Sequence, residues 1–204
     1  MPKSKIYAHA RPGRAVKALF VSQIGEIVWK YKLSPETTNL PARHGITEIQ
    51  VFEISLKTEQ IADSLLRTID KAIPFPVLFQ LTHAGRIRFA ASWKRPSDAD
   101  ASKWVIEATF TTVWLHPSSF ILHPLPVVLD LASLYEQLIR HHIPLVPRDG
   151  EALRDQVARF LAIRTKEKEC RHLEGRLGNE KQFNRKVDLN AALRTVRQEL
   201  DSLL

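Results

Sequence analysis

Cysteine is almost absent from this chain, which has one such residue, Cys170, among 204. A single cysteine cannot form a disulfide within the chain, and it cannot build the cysteine-rich sites of zinc fingers and zinc ribbons. Disulfide-stabilised secreted folds are thereby excluded, and a reducing compartment is expected. A lone cysteine in a helical segment is typical of a small apolar packing residue, and we expect that role for Cys170.

Glycine is also scarce, with 7 residues. Phosphate-binding loops need several closely spaced glycines, because their backbone approaches the phosphates. The sequence contains no such loop, no dinucleotide-binding fingerprint and no serine–histidine–aspartate order of a hydrolase. Its 8 histidines show no close ligand spacing with acids: His116 and His123 flank a proline-rich stretch, and His141 and His142 end a predicted helix. We therefore expect neither a metal site built on histidine nor a resident cofactor.

Long apolar runs are missing as well, since none approaches the roughly 20 residues that a membrane-spanning helix needs. The N-terminal segment is positively charged but has no apolar stretch behind the charge, so it does not resemble a secretory signal. These features predict a cytoplasmic protein without a membrane partner. A hydrophobic content of 44% is nevertheless enough for a buried core, so the composition does not indicate disorder.

Acidic residues are fewer than basic ones: the chain has 22 aspartates and glutamates and 30 lysines and arginines, which gives a formal net charge of +8. The excess is uneven. Residues 1–20 contain no acid, and their basic residues are Lys3, Lys5, Arg11, Arg14 and Lys17. A basic excess of this size is compatible with the binding of a polyanion such as DNA, but it does not by itself identify one.

Hydrophobic periodicity divides the chain into three parts. Residues 1–13 are predicted to form a basic, flexible tail, because prolines and a glycine frame a segment with little periodicity. Residues 14–148 alternate between strand and helix patterns and predict an α+β core, in which a mixed or antiparallel sheet of about five strands carries helices on one side. Residues 149–204 are predicted to form a helical arm, because the chain from Glu151 onward has no proline and interleaves charges of both signs.

The predicted strands follow from period-two alternation or from short apolar runs. They are Glu26–Leu33, Ile49–Leu56, Val77–Leu81, Arg86–Trp93 and a strand that begins at Trp104. The predicted helices cover about Arg14–Gln23, a segment capped by Thr58 and a segment capped by Asp130. The residues between the third and fourth strands, around Gly85, predict a hairpin turn.

The arm carries an apolar seam at coiled-coil spacing. The members of the seam are Leu189, Leu193, Val196, Leu200 and Leu203. Such a seam must be covered by the chain itself, by a second copy or by another protein, because isolated helices of this length are marginal in water. The arm is either one helix weakened near Gly175 and Gly178 or two helices folded as a hairpin, and a homodimer through the seam is one expected partner.

Two basic clusters are candidate nucleic-acid contacts. The first surrounds the predicted hairpin and contains Arg86, Arg88, Lys94 and Arg95; the second, on the arm, contains Arg185 and Lys186, with Arg194 and Arg197 further along. Basic side chains neutralise phosphates, and an exposed aromatic beside them stacks on bases. Trp93 adjoins the first cluster, but its strand parity is that of Ile87 and Phe89, which predicts a core position. The competing interpretation of both clusters is a solvated face whose charges pair with nearby acids.

A metal-dependent nuclease is the enzymatic alternative. Such enzymes hold Mg²⁺ with carboxylates on adjacent strands, and a lysine positions the attacking water. Glu53, Ser55 and Lys57 share one face of a predicted strand by the period of two. A serine occupies the position of the usual acid, so Glu53 would have to replace it, and Glu36 or Glu48 would have to supply the second carboxylate. The competing interpretation is a solvated or structural pair of glutamate and lysine.

Four segments of the chain resemble an uncharacterised prokaryotic family, domain of unknown function 4391. They are residues 29–39 (WKYKLSPETTN), 48–57 (EIQVFEISLK), 72–78 (AIPFPVL) and 181–190 (KQFNRKVDLN). The resemblance implies a genomic setting beside helicase and DNA-methyltransferase genes in restriction-like or defence islands. It implies no catalytic residues.

Charge, seam and resemblance together predict a non-catalytic accessory protein of a DNA-processing complex, with DNA and a helicase or methyltransferase as expected partners. In this hypothesis the sheet is a scaffold, the arm is the interaction element and the basic surfaces contact DNA. The alternative is a Mg²⁺-dependent nuclease centred on Glu53 and Lys57.

Overall fold

The computed structural model describes residues 2–97, 99–100, 104–116 and 126–204. It divides into two compact units, Met1–His142 and Ile143–Leu204. The predicted boundary between residues 148 and 149 lies shortly after this division. Within the described ranges, no helix is both long enough and apolar enough to span a membrane.

The first unit is an α+β fold around one mixed sheet. Its helices are α1 (Lys3–Ala10), α2 (Arg14–Gln23), α3 (Pro35–Thr38), α4 (Asp63–Ala72) and α5 (Leu131–His142); its strands are β1 (Ile24–Leu33), β2 (Ile49–Leu56), β3 (Val77–His83), β4 (Arg86–Pro96) and β5 (Trp104–Thr111). The strands lie in the order β1-β2-β3-β4-β5. β2 and β3 are parallel and α4 connects them, whereas the other neighbours are antiparallel. The predicted class and mixed sheet are therefore confirmed.

A two-residue turn joins β3 to β4. Ala84 and Gly85 have φ angles of 47° and 74°. Two successive residues with positive φ give the turn whose twist matches that of the flanking strands. Glycine adopts this conformation without a steric cost, since it has no Cβ. The predicted hairpin is confirmed, and both of its strands extend beyond the predicted ends.

β1 lies at one edge of the described sheet, and its register is interrupted. Trp29 lies opposite Phe52, but Tyr31 lies opposite the adjacent Val51, so an extra residue of β1 stands between them. Such a bulge turns the side chains that follow it toward the other face of the sheet. Trp29 and Tyr31 therefore point to opposite faces, whereas simple alternation predicted a shared face. Both are exposed, at 54% and 61%.

Three helices cover one face of the sheet. Ile6 of α1, Phe20 of α2 and Leu65 of α4 are fully buried in one apolar cluster with Phe52 and Phe79 of the central strands. Burial of an apolar side chain of this size contributes about 1.5–3 kcal/mol relative to its exposure. This cluster is the main core of the unit.

α5 covers the opposite face. The ring of its Tyr135 stacks on Trp93 of β4, with centroids 5.6 Å apart. The next residue of β4, Lys94, sends its side chain to α4. Consecutive side chains of a strand point to opposite faces, so α4 and α5 lie on different sides of the sheet. Helices thus cover both faces rather than the one side expected from the sequence.

The N-terminal segment is folded and is not the flexible tail predicted for residues 1–13. In α1 (Lys3–Ala10), Ile6 is buried and Tyr7 packs edge-on against Phe20, with ring centroids 5.2 Å apart. Lys3 Nζ donates to two carbonyl oxygens at the end of α2, at 2.9 and 2.8 Å. Periodicity could not reveal this helix, because a few anchors hold its eight residues rather than a continuous apolar stripe.

A buried ion pair connects α4 to β4. Lys94 Nζ lies 2.6 Å from Asp70 Oδ1, and the two side chains are 1% and 0% exposed. The same ammonium donates to the main-chain carbonyls of Asp70, Ile73 and Phe75, at 2.7, 3.0 and 2.9 Å. These carbonyls lie at and after the end of α4, where helical partners are lacking and a positive charge is favourable. Burial raises the pKa of Asp70 and lowers the pKa of Lys94, and their mutual attraction opposes both shifts.

The backbone of the same lysine is bound from the other face. The N–H of Lys94 donates to Tyr135 Oη at 2.8 Å, and the Tyr135 hydroxyl donates to the carbonyl of Ser92. One residue of β4 therefore contacts a helix on each side of the sheet. Desolvation raises the pKa of the Tyr135 hydroxyl, which keeps its proton and remains a donor.

The second unit is a hairpin of two long helices, α6 (Leu153–Asn179) and α7 (Phe183–Leu203). The helices are antiparallel, because Lys166 pairs with Glu199 and Glu174 pairs with Arg197. The buried contacts between them come from Cys170 and Leu173 of α6 and from Leu189, Leu193 and Val196 of α7, with Leu177 and Leu200 partly buried beside them. Of the two predicted arrangements, the hairpin is present, and the packing role expected for Cys170 is confirmed.

Arg159 closes the open end of this hairpin. Its Nε and Nη2 donate to the two carboxylate oxygens of Glu151, both at 2.8 Å, and its Nη1 donates to the carbonyl of Leu203 at 3.1 Å. Both side chains of the pair are largely buried, at 6% and 9%. The hydrogen bonds from Arg159 lower the pKa of Glu151 from 4.5 to about 2.

We expect Lys94→Met to lower the free energy of unfolding by about 3–5 kcal/mol, because Asp70 would stay buried without its counter-ion. Urea denaturation of the full chain measures the change. Arg86→Met is the matched control on the same strand, since its ion pair with Glu59 is exposed and should contribute less than about 1 kcal/mol. Equal losses in the two variants would contradict a dominant role for the buried pair.

Glu151→Gln should destabilise the chain at neutral pH but not at strongly acidic pH. A carboxylate whose folded pKa is lowered contributes stability above its unfolded pKa and loses it as the pH falls through the folded value. For Glu151 that window runs from pH 4.5 down to about 2. Urea midpoints at several pH values should show the native and variant curves converging across it. A difference that is independent of pH would contradict this account, and Glu174→Gln, which removes an exposed ion pair, is the control.

Candidate nucleic-acid interface

The basic cluster predicted around β4 does not form a free cationic surface. Lys94 lies inside the protein with its charge on Asp70, so its assignment as a nucleic-acid contact is corrected to a structural role. The guanidinium of Arg88 is 4.5 Å from the ring centroid of Trp114, and the residue is buried. Trp93 packs on Tyr135, as its strand parity predicted.

The other two arginines of this cluster have carboxylate partners. Arg86 Nη2 lies 2.9 Å from Glu59 Oε1, and Arg95 Nε contacts Glu107 Oε1. These partners are 27 and 12 residues away in the sequence. Local sequence spacing therefore could not reveal that the charge of the cluster is largely compensated.

The second predicted cluster lies at the turn of the helical hairpin. Arg185 and Lys186 are exposed in the first turns of α7, and neither takes part in an ion pair within the described ranges. The nearby Glu180 is engaged with the backbone, because its Oε1 accepts from the N–H groups of residues 181 and 182 at 2.8 and 2.9 Å. Phe183, the first residue of the same helix, is 77% exposed. Arg197, by contrast, is paired with Glu174.

A third basic surface, which was not singled out from the sequence, lies on α1 and α2. We call Lys5, Arg11, Arg14 and Lys17 the N-terminal basic surface. All four are exposed, and no acid occurs before Glu26. In the described part of the chain, none of the four is in an ion pair. Lys17 lies over the ring of Tyr7, at 5.6 Å.

The backbone that carries these four cations is folded. Arg11 ends α1 in the left-handed conformation, and its N–H donates to the carbonyl of Tyr7 at 3.0 Å. α2 begins three residues later at Arg14. Charges on two packed helices need less ordering when they bind a partner than charges on a flexible tail. The absence of acids in residues 1–20 was the available sequence signal. Because residues 1–13 were predicted to form a flexible tail, this signal was not interpreted as a folded basic surface.

The residues of the nuclease alternative have separate local partners. Glu53 Oε2 lies 3.3 Å from Lys30 Nζ and accepts from Gln80 Nε2 at 3.2 Å. Lys57 Nζ donates to the carbonyl of Val21 at 2.8 Å, near the end of α2. The lysine thus interacts with the C-terminus of a helix, where cations are stabilising.

The remaining candidate ligands are also in local contacts. Glu48 lies 3.4 Å from Lys32, and Glu36 accepts a hydrogen bond from Ser34. His142 Nδ1 lies 2.6 Å from the carbonyl of Leu138, and His123 is outside the described residues. Within the described ranges, no three histidine, cysteine or acidic side chains come together as metal ligands. The nuclease alternative remains a prediction.

Comparison with known proteins identifies a family. A family model described as Domain of unknown function (DUF4391) matches residues 1–200, so the match extends over both units. No curated protein and no solved structure matches the chain.

We expect Lys57→Met to lower the free energy of unfolding by about 0.3–1 kcal/mol, because it removes a cation from the end of α2. Urea denaturation measures this loss, and incubation of the same variant with DNA and Mg²⁺ measures cleavage. Lys30→Met, which removes the partner of Glu53 and leaves α2 intact, is the control. The nuclease alternative would be favoured if the native chain cleaves DNA with Mg²⁺ and Lys57→Met does not, while the free energy of unfolding of the variant is unchanged.

Proposed function

The chain belongs to the DUF4391 family, and we propose that it is a non-catalytic accessory protein that contacts DNA within a DNA-processing complex. The observation that carries this proposal is the N-terminal basic surface. Its four exposed cations lie on folded helices in a segment without acids. DNA is the polyanion that the resemblance to proteins of restriction-like islands suggests.

The compensation of other charges in the first unit supports this choice of surface. Lys30, Lys32, Arg86 and Arg95 have carboxylate partners in the same unit. A cation that already has a partner gains little from a phosphate, because the new contact replaces an existing one. A cation without a partner can neutralise a DNA phosphate, and the release of the counter-ions condensed on that phosphate drives binding. The N-terminal basic surface therefore dominates the expected DNA contact.

The helical hairpin is the proposed interaction element of the complex. α6 covers the seam of α7, so the seam does not require a second copy of the chain. The homodimer was expected because the seam had to be covered, and α6 provides that cover within one chain. The proposed contact with a protein partner such as a helicase or methyltransferase is made by exposed residues of the hairpin, and Arg185 and Lys186 add a secondary contact to DNA.

We expect a fourfold variant, Lys5→Gln, Arg11→Gln, Arg14→Gln and Lys17→Gln, to bind duplex DNA at least tenfold more weakly. Each phosphate contact contributes about −0.9 to the slope of log K against log salt, so the slope should become shallower by about 3 to 4. Fluorescence anisotropy of a labelled duplex at several salt concentrations measures both quantities for the full chain.

The matched control carries the same change in net charge at paired positions: Lys30→Gln, Lys32→Gln, Arg86→Gln and Arg95→Gln. It should retain most of the affinity and most of the slope, provided that circular dichroism shows both variants folded. An equal loss in both would mean that net charge, and not this surface, determines binding. A native chain without salt-dependent binding would contradict the proposal. The double variant Arg185→Gln, Lys186→Gln then measures how much the hairpin turn contributes to the affinity for DNA.

A further inference from the structure

An open groove of about 510 Å³ adjoins the N-terminal basic surface. It lies between the start of α1, the edge strand β1 with its neighbour β2, and the segment that follows α4. Its apolar floor includes Phe52, Pro74 and Phe75, and its polar lining includes Lys5 and Gln50. The ring of Trp29 forms one wall. The volume lies within the range of small-molecule sites, roughly 300–1,000 Å³.

Trp29 is the unusual member of this groove. It sits on the edge strand with about half of its surface exposed, beside the fully packed Phe52 to which it is paired in register. A large aromatic side chain exposed in an apolar groove leaves a hydrophobic surface uncovered, which is typical of a binding surface. The pairing with Phe52 places the Trp29 ring on the face that carries the groove, and the bulge after Trp29 turns Tyr31 to the other face.

A second depression of about 450 Å³ adjoins the groove, because Ile73 and Pro74 line both, and we call the two together the combined groove. His9 and Lys71 line this second part. Lys5 and His9 are four residues apart on α1 and so lie on one side of that helix. The rim of the combined groove is therefore basic. Asp70 also contributes to the lining, but its charge is compensated by Lys94.

We propose that this combined groove binds single-stranded DNA, with an unpaired base stacked on Trp29 and phosphates at Lys5 and Lys71. An apolar, aromatic floor with a basic rim is the arrangement by which proteins bind single strands, since every base has a π-face and every nucleotide has a phosphate. Bases inside a duplex are stacked on each other and present no free face to the groove. This inference rests on the proposed function for the choice of DNA and adds the strandedness of the ligand.

The test compares the full chain and its variants for binding to a thymidine oligonucleotide of about 12 nucleotides and to a duplex of the same length. Trp29→Leu removes the stacking ring but keeps an apolar side chain, and should weaken single-strand binding about tenfold while duplex binding changes little. Tyr31→Leu is the matched control, because Tyr31 is an equally exposed aromatic on the same strand but on the other face. Trp29→Phe should restore most of the affinity.

Tryptophan fluorescence reports the contact directly. The oligonucleotide should quench the emission of the native chain mainly through Trp29, which is the most exposed of the four tryptophans. Trp104 lines the second depression but is less exposed than Trp29, as are Trp93 and Trp114. Most of this quenching should disappear in Trp29→Phe, although that variant still binds. Lys5→Gln with Lys71→Gln should make the salt slope for the single strand shallower by about 1.4, at about 0.7 for each phosphate.

The outcomes separate this inference from the proposed function. The groove is not the single-strand site if Trp29→Leu binds the single strand as tightly as the native chain does, or if Tyr31→Leu loses as much single-strand affinity as Trp29→Leu. The proposed function would still stand in that case if the fourfold charge variant loses duplex binding. Displacement of the oligonucleotide by polyglutamate at equal charge would assign the groove to acidic peptides and overturn the inference. If the native chain binds neither DNA, the proposed function and the inference both fail.

Discussion

The buried pair of Lys94 and Asp70 is the interaction on which the first unit depends. An ammonium in the protein interior is tolerated when several acceptors surround it, and here one carboxylate oxygen and three carbonyl oxygens do so. Through these contacts Lys94 holds the end of α4 against the sheet, while its backbone N–H donates to the hydroxyl of Tyr135, which belongs to α5 on the other face. The sheet and the helices on both of its faces are joined at this one residue.

The same lysine also shapes the candidate ligand site. Its Nζ binds the carbonyls of Ile73 and Phe75, and these residues line the groove beside Trp29. The segment after α4 is irregular and contains two prolines, so it cannot hold itself in place by helical hydrogen bonds. Lys94 supplies those bonds from β4. A residue assigned from the sequence to the DNA surface thus lies beneath a proposed DNA surface and supports its floor.

Elements built on a repeated pattern were predictable from the sequence. The strand Ile49–Leu56 and the helix Arg14–Gln23 occur at the predicted positions, and four of the five seam residues of the arm, all except Leu203, contribute to the contact between α6 and α7. Burial of a stripe leaves a period in the sequence, which is why these elements were predictable. Features held by single residues were not predictable. α1 depends on a few anchors such as Ile6, and the bulge after Trp29 shifts the parity without any change in composition.

The candidate site was hidden for a related reason. The sequence does not show whether the ammonium of a strand lysine lies in water or beside a buried carboxylate. The partners that determine the environment of the charge lie 24 residues away for Lys94 and 27 residues away for Arg86. Charge clusters therefore predicted which segments are basic but not which remain uncompensated. The acid-free N-terminus was visible as composition, and the structure adds that its charges are carried on packed helices next to a groove.

The buried pair also constrains how this sequence can diverge. A chain that loses Lys94 first retains a lone carboxylate in its core, and a chain that loses Asp70 first retains a lone ammonium. Either intermediate is less stable than both the starting pair and a fully apolar replacement. A single substitution at either position therefore lowers the free energy of unfolding, even where the double substitution would not. The two positions should therefore change together or not at all, and a relative that carries apolar residues at both would have to hold Ile73 and Phe75 by other means.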